Sequence, residues 1–277
     1  RQKKYAAAAA ILVPSVKQFR DDAMIDKLLF DLAENLFGDQ QYTESATVFE
    51  RLLKEHPKHG QRELILRLSV QARFYTGRYA VGLALCADYL EDFRKHPEAS
   101  SVVFLQGESE LFLEKYDDAV STFEQFLKEY PDDAQARAAQ MHVGECHFFG
   151  KQWKAALAAF ENLAGKKLEG RVFQQYDFIV GSCHYQLKDW EQAVVSYQLF
   201  TSRFPKAQNA DTALMNTGRA LEEQKQTDNA LAVYEQIAEN FPKSIYHSQA
   251  ALKAGKIQFE AKQYAKARAV LKLTAQK

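Results

Sequence analysis

The chain repeats its own pattern every 37 residues, from one end to the other and without an insertion. A small residue recurs at one position, an aromatic nine positions later, a small residue three further on, and a second aromatic four beyond that. The aligned sets are Ala33, Val70, Gly107, Gly144, Gly181, Gly218 and Gly255; Tyr42, Tyr79, Tyr116, Trp153, Trp190, Thr227 and Tyr264; Ser45, Gly82, Ala119, Ala156, Ala193, Ala230 and Ala267; and Phe49, Cys86, Phe123, Phe160, Tyr197, Tyr234 and Leu271. A fixed period of this length is typical of stacked structural units rather than of one globular core.

The unit that spans residues 134–170 shows how the repeat is built. Ala134 to Phe149 contains no proline, and its apolar residues fall two, three and four positions apart, which predicts a helix with more than one buried side. Gly150 is placed as a helix terminator, and Trp153 to Leu163 then predicts a second helix. Each unit is therefore expected to form a helix, a tight turn and a helix.

The recurring residues also predict how the helices pack. We expect Gly144 and Ala156 to mark the place where two helix backbones come close, because a larger side chain would hold them apart. We expect Trp153 to fill the wedge at the turn and Phe160 to pack between neighbouring units. Proline cannot continue a helix and restricts the residue before it, so the chain must turn where it occurs. Such steps end four units: His56–Pro57, Tyr130–Pro131, Phe204–Pro205 and Phe241–Pro242.

This succession of small, aromatic, small, aromatic and proline residues resembles the tetratricopeptide repeat (TPR) over nearly the whole chain. That family has a unit of about 34 residues. The resemblance implies an all-α, right-handed superhelical solenoid of helix–turn–helix repeats, in which the first helices line a concave groove. The segments 144–149, 116–119 and 126–131 are similar to a bacterial subclass that includes periplasmic coordinators of the Tol–Pal system and lipoproteins of outer-membrane protein assembly.

The unbroken period predicts a single continuous array over residues 1–277, although the length alone would suggest about two domains. The chain starts at Arg1 midway through a unit and stops inside a second helix, without the polar caps that solenoids need. We therefore expect a fragment of a longer protein. The predicted units are a partial repeat at 1–22, repeats at approximately 23–59, 60–97, 98–133, 134–170, 171–207 and 208–244, and a partial repeat at 245–277.

Charge and hydropathy exclude some classes of partner. The chain has 36 basic and 36 acidic residues, so it lacks the basic excess of a general nucleic-acid binder. No apolar run approaches the roughly 20 residues of a membrane-spanning helix, so we expect no membrane span. The subclass resemblance favours the periplasm as the location, and the three cysteines leave the cytoplasm open as well.

Two cysteine–histidine pairs lie one period apart and suggest a metal site: Cys146–His147 and Cys183–His184. Adjacent residues on a helix point about 100° apart, so both members of a pair cannot easily reach one ion. We therefore favour the alternative, in which each cysteine is a small core residue and each histidine fills an aromatic position. His56 and His59 flank a turn, where we expect solvated side chains.

No arrangement of residues predicts catalysis. The sequence has no glycine-rich phosphate loop after a strand, and no grouping of a nucleophile, a histidine and an acid stands out. We expect a non-enzymatic protein with no bound metal and no cofactor.

The resemblance places three positions of each first helix on the concave groove, spaced four and then three residues apart. In the middle units, large apolar residues flank Glu108 and Glu145, which have no basic residue three or four positions away on their own helices. The predicted partner-binding residues are Phe104, Glu108, Phe112, Met141, Glu145, Phe149, Phe178, Ser182 and Tyr185. The alternative is that these aromatics are core residues of tightly wound units.

From this groove we predict a protein-interaction scaffold that holds a peptide segment or a partner protein. Two alternatives stay open. One is a structural spacer or self-associating rod, which would form homo-oligomers. The other is a regulatory repeat region of a larger protein whose enzyme domain lies outside this chain.

Overall fold

The computed structural model describes residues 2–18, 24–161, 163 and 170–272. These residues form fifteen α-helices and no β-strand, which confirms the prediction of an all-α fold. The helices are α1 Gln2–Gln18, α2 Ile25–Gly38, α3 Tyr42–Glu55, α4 Arg62–Tyr75, α5 Tyr79–Phe93, α6 Ala99–Phe112, α7 Tyr116–Glu129, α8 Ala136–Phe149, α9 Trp153–Glu161, α10 Gly170–Gln186, α11 Trp190–Arg203, α12 Ala210–Glu223, α13 Thr227–Asn240, α14 His247–Glu260 and α15 Tyr264–Lys272. None of these described helices is long and apolar enough to cross a membrane.

The chain forms two compact units, Arg1–Cys146 and His147–Lys277. In the first unit, each helix from α1 to α7 packs against the next, and α4 also contacts α2 and α6. In the second unit, consecutive helices from α9 to α15 pack in the same way, and α10 contacts α12. Each unit therefore has the packing of a TPR solenoid, in which a helix is buried by its neighbours along the chain.

The 37-residue period is visible in the helix boundaries. Every second helix from α3 to α15 begins at the aromatic position, or at Thr227 in its place. Four of these helices end one residue before a step from histidine or an aromatic to proline, as α7 does before Tyr130–Pro131. The backbone N–H of Tyr130 still bonds to the carbonyl of Phe126 at 2.8 Å, so the helix closes its last turn there before proline ends it.

The turn inside each repeat places one residue in the left-handed backbone region. The residues are Gln40, Gly77, Glu114, Lys151, Lys188, Lys225 and Lys262, with φ between 59° and 69°. In the repeat around residue 150, the helix ends at Phe149, so Gly150 follows its last residue as the sequence predicted. The left-handed conformation belongs to the next residue, Lys151.

Three glycines of first helices make room for a ring from the second helix of the same repeat: Gly107, Gly181 and Gly218. Gly255 makes room for the side chain of Leu271 in the same way. A Cβ on Gly107 would lie 2.8 Å from the Phe123 ring, and one on Gly218 would lie 2.5 Å from the Tyr234 ring. The predicted close approach is therefore present, but an aromatic ring fills the space instead of a second backbone. Phe123 also stacks on His142 of the next repeat, with centroids 5.1 Å apart. It therefore packs between neighbouring repeats, as predicted.

Candidate functional site

In the first unit, the predicted groove residues divide into a buried layer and an exposed layer. Phe104 and Met141 are buried, and the Phe104 ring lies 5.6 Å from that of Phe126 in an edge-on contact. Phe112, at the end of the same helix as Phe104, is 57% exposed. Phe104 and Met141 are therefore core residues, which was the alternative that the sequence left open. Phe112 is available to a partner.

The two acids that the sequence singled out share one histidine. Nδ1 of His142 lies 2.7 Å from Oε2 of Glu145, and Nε2 of the same ring lies 3.7 Å from Oε1 of Glu108. The expectation that Glu145 has no basic residue nearby on its helix is wrong, because His142 is three positions before it. Glu145 is buried, so a reversal of its charge would disturb folding before it could report on binding.

The ion pairs keep His142 protonated. Burial lowers the pKa of His142, but the bonds and charges of Glu108 and Glu145 outweigh burial and raise it to about 9. The imidazolium thus balances one of two negative charges near neutral pH. A net negative charge remains on this face of the first unit, where Glu108 is partly exposed.

A series of aromatic rings, two exposed and three half-buried, lies at the helix ends of the first unit, and we name it the aromatic ladder. Its members are Tyr42, Phe74, Tyr75, Tyr79 and Phe112. Tyr75 lies 4.8 Å from Tyr42, and Phe74 bridges Tyr75 and Phe112 at 6.0 and 5.8 Å between centroids. Tyr79 stacks on Phe112 at 4.8 Å with an angle of 8° between the rings. Tyr75 and Phe112 are both more than half exposed.

The sequence reasoning selected Phe112 but missed the rest of the aromatic ladder. The signal was present, since Tyr75, Phe112 and Phe149 are one period apart. What the sequence did not show is that the start of the second helix α5 lies beside the end of α6, the first helix of the next repeat. That contact places Tyr79 on Phe112.

In the second unit, the remaining predicted residues differ in their exposure and in their partners. Phe149 is exposed and packs edge-on against Phe148 at 5.4 Å. Phe178 is half-buried and lines an open depression of about 510 Å³ together with glutamine side chains. Ser182 is buried; its hydroxyl donates to the carbonyl of Phe178 at 2.8 Å and accepts from the Tyr197 hydroxyl at 3.0 Å.

Tyr185 completes this set. It is half-buried and lies 5.3 Å from Trp190 in a T-shaped contact. Trp190 stands at the turn of its repeat, where the sequence expected an aromatic to fill the wedge. Ser182 and Tyr185 therefore contribute to packing, and Phe178 is the member of this set that lines a surface depression.

The cysteine–histidine pairs have other partners. Cys146 and Cys183 are buried, and burial raises the pKa of each thiol to about 12. His147 contacts Gln152 at 2.7 Å, and His184 contacts Asp189 at 3.1 Å. Among the residues that the structure describes, no group of three or more histidine, cysteine, aspartate and glutamate side chains could hold a metal ion.

Two family models, both described as tetratricopeptide repeat, match the sequence. One matches residues 27–59, 177–207 and 212–244, and the other matches residues 104–167. Together they cover more than half of the chain, which belongs to the tetratricopeptide repeat family. Members of this family are typically non-enzymatic scaffolds that mediate protein–protein interactions. No curated protein sequence matches the chain.

Solved structures share the fold at low sequence identity. The C-terminal part of a TPR repeat-containing protein from Cytophaga hutchinsonii has a TM-score of 0.70 at 15% identity, over 88% of this chain and 93% of that one. A tetratricopeptide repeat protein from Parabacteroides merdae has a TM-score of 0.59 at 12% identity, over 90% and 98%. YrrB, described as a TPR protein with an unusual peptide-binding site, has a TM-score of 0.51 at 17% identity, over 68% and 90%.

Proposed function

We propose that the protein is a non-enzymatic scaffold that binds a segment of a partner protein on the aromatic ladder of its first unit. The observation that carries the proposal is the exposure of Tyr75 and Phe112, which are 56% and 57% exposed although both are large aromatic residues. Soluble proteins rarely leave contiguous apolar patches on their surface unless something binds there. The family's general role in protein–protein interaction supports this use of the surface.

The chemistry of the surface defines the partner segment. Exposed rings with apolar faces suit apolar anchor residues, and buried aromatic anchors usually dominate such binding energies. The net negative charge of Glu108, His142 and Glu145 favours a segment that also carries lysine or arginine. The segment is therefore an extended or helical peptide with two apolar anchors and at least one basic residue.

A peptide-display selection tests this proposal. Peptides selected on the protein should be enriched in apolar residues combined with lysine or arginine. The variant with both Tyr75→Ser and Phe112→Ser should bind the selected peptides at least about tenfold more weakly than the wild type, because interface aromatics commonly contribute more than 1 kcal/mol each. Helicity by circular dichroism should be unchanged, since both side chains are exposed.

Val81→Ser is the matched control. Val81 is also exposed and apolar in the first unit, but it is not a member of the aromatic ladder. Its substitution should leave the affinity at the wild-type value. Equal affinities for the double variant and the wild type would overturn the proposal. A mass that rises with protein concentration in sedimentation, without any peptide, would favour the spacer or rod instead.

We also propose a periplasmic location, on the likeness of segments 144–149, 116–119 and 126–131 to periplasmic TPR proteins. Fractionation of cells that express the full-length protein tests this part separately. Recovery in the cytoplasmic fraction would overturn the location and leave the binding proposal unaffected.

A further inference from the structure

In two places, a side-chain pair with the same spacing joins a second helix to the first helix of the next repeat. In the first unit, Arg73 of α4 forms an ion pair with Glu50 of α3, 23 residues earlier. In the second unit, Gln258 of α14 donates to Glu235 of α13 at 2.5 Å, again 23 residues earlier. The repeat thus uses this position to match a polar side chain on one helix with a polar partner on the helix before it.

One period after Arg73, the residue at this position of α6 has no such partner on α5. Glu110 of α6 occupies it, and the residue 23 positions earlier on α5 is Ala87, whose methyl group cannot form a hydrogen bond. Oε1 of Glu110 accepts a bond from Nε2 of Gln106 at 2.9 Å. Oε2 is buried and has no hydrogen-bond partner, and the residue as a whole is only 7% exposed.

A cavity of about 250 Å³ lies beside the small side chain of Ala87. Its wall combines the carboxylate of Glu110 with the apolar side chains of Leu83, Leu90 and Val103. A buried carboxylate oxygen that lacks a donor is costly, because burial removes the water that would bond to it. The cavity therefore places a carboxylate beside apolar side chains, and Arg94, Gln106 and Gln125 complete its wall.

The other charges near the cavity are already balanced. Arg94 contributes to the cavity wall, but its guanidinium lies 2.9 Å from Oε1 of Glu129, which also accepts a bond from Gln125. The charge of Glu110 reaches the neighbouring thiol: burial, followed by the charge of Glu110, raises the pKa of Cys86 to about 12. Among the described residues, Glu110 thus bonds to Gln106 and forms no ion pair.

We propose that this cavity binds an alkylammonium or alkylguanidinium group, with the cationic head on Oε2 of Glu110 and the alkyl stem against Leu83, Leu90 and Val103. The ligand takes the place of the missing partner at Ala87. Glu50 and Glu235 occupy that position in the two other repeats, so the charges of the pair are reversed here. The group belongs either to a lysine or arginine side chain of a protein or to a free small amine. This site is separate from the aromatic ladder and does not depend on the proposed function.

Titration with small probes tests the site directly. The probes are n-butylammonium and n-butylguanidinium chloride, with n-butanol as the neutral analogue, and amide chemical shifts of α5, α6 and α7 report binding. We expect both cations to saturate with a dissociation constant of about 1 mM, and n-butanol to bind at least about tenfold more weakly. A failure of both cations to shift these amides overturns the proposal.

Glu110→Gln keeps the shape of the side chain and removes its charge, so it should weaken cation binding at least about tenfold. The matched control is Glu114→Gln, which removes the same charge from an exposed residue in the following turn and should leave binding unchanged. Equal effects of the two variants would show that general electrostatic attraction, rather than this cavity, holds the cation.

Ala87→Lys supplies the missing partner from within the chain. Its ammonium group should bond to Glu110, raise the melting temperature by several degrees and abolish binding of n-butylammonium. A variant that melts at the wild-type temperature and still binds the probe would overturn the assignment of the cavity.

Two further ligands distinguish the sources of the cation. A blocked peptide with one lysine between glycines represents a protein side chain, and 1,4-diaminobutane represents a free amine. Saturable binding of the peptide, lost in Glu110→Gln, supports a protein partner. Binding of the diamine alone supports a small-molecule ligand, and binding of neither overturns the proposal.

Discussion

The two units differ most at a position that their backbones share, the last residues of the first helices. In the first unit this position carries Tyr75 and Phe112, both exposed and in contact with other rings. One and two periods after Phe149, in the second unit, it carries Gln186 and Glu223, which are exposed and polar. The position is therefore aromatic at Tyr75, Phe112 and Phe149 and polar at Gln186 and Glu223. It can change in this way because packing does not constrain side chains that point to solvent.

A second difference lies beneath that surface. His142 of the first unit forms ion pairs with Glu108 and Glu145, whereas the residue one period later is the buried Ile179. The positions that contact a facing helix at short range do not differ in this way. Gly107 and Gly218, one in each unit, both lie under an aromatic ring. The residue type is thus restricted at positions where atoms are already in van der Waals contact. It varies at positions where free space or solvent can accommodate another side chain.

The largest predicted effect on stability comes from disrupting the glycine–ring contact that both units contain. Gly107→Leu and Gly218→Leu should each lower the free energy of unfolding by about 3 kcal/mol, since a side chain would meet a ring already within 3 Å of the Cβ position. Calorimetry on the single variants measures this. Gly60→Ala is the control, because a Cβ there meets no atom within 4 Å. Wild-type stability of the leucine variants would mean that the helices separate without cost.

The next effect sharpens the difference around His142 and depends on pH. The pKa of His142 in the folded protein is about 9, above its ordinary value of 6.5. The stabilisation from the protonated ring is therefore complete below pH 6.5 and is lost as the pH rises to 9, which amounts to about 3 kcal/mol. Denaturant unfolding of the wild type between pH 6 and pH 10 should show this loss.

His142→Gln should remove that pH-dependent loss, since the uncharged amide cannot titrate in this range. His147→Gln of the second unit is the comparison variant and should follow the wild-type curve. Identical pH dependence for His142→Gln and the wild type would show that the ion pairs with Glu108 and Glu145 do not stabilise the folded chain.

The smallest effect concerns the left-handed residue of each turn, which is Gly77 in the first unit and Lys225 in the second. Gly77→Ala should lower the free energy of unfolding by about 1 kcal/mol, because only glycine adopts this conformation without steric cost. Lys225→Gly should raise it by about 0.5 kcal/mol, since the relief of strain exceeds the entropy gained by the unfolded chain. Thermal melts in parallel measure both, and equal signs for the two variants would contradict the argument.

The period predicted the helix boundaries well because the residues that set it act locally. Proline at position 131 ends a helix whatever surrounds it, and an aromatic such as Tyr79 recurs at the start of a helix. The candidate groove was predicted less well. Phe104 and Phe112 lie eight residues apart on one helix, yet one is buried and the other is exposed. That difference depends on which neighbouring helices cover each ring, and the sequence of α6 alone does not contain it.

The sequence by itself determined the helices, their turns and the all-α repeat fold, because period, small residues and proline act within a few residues of themselves. Only the tertiary structure decided which side chains became available for binding. His142 reached both acids because adjacent first helices lie side by side, and Glu110 lost a partner because Ala87 lies on the helix that faces it. Glu108 and His142 are 34 positions apart, and Ala87 and Glu110 are 23 apart. At such separations the local preferences of the backbone no longer operate, and packing between helices determines the distance.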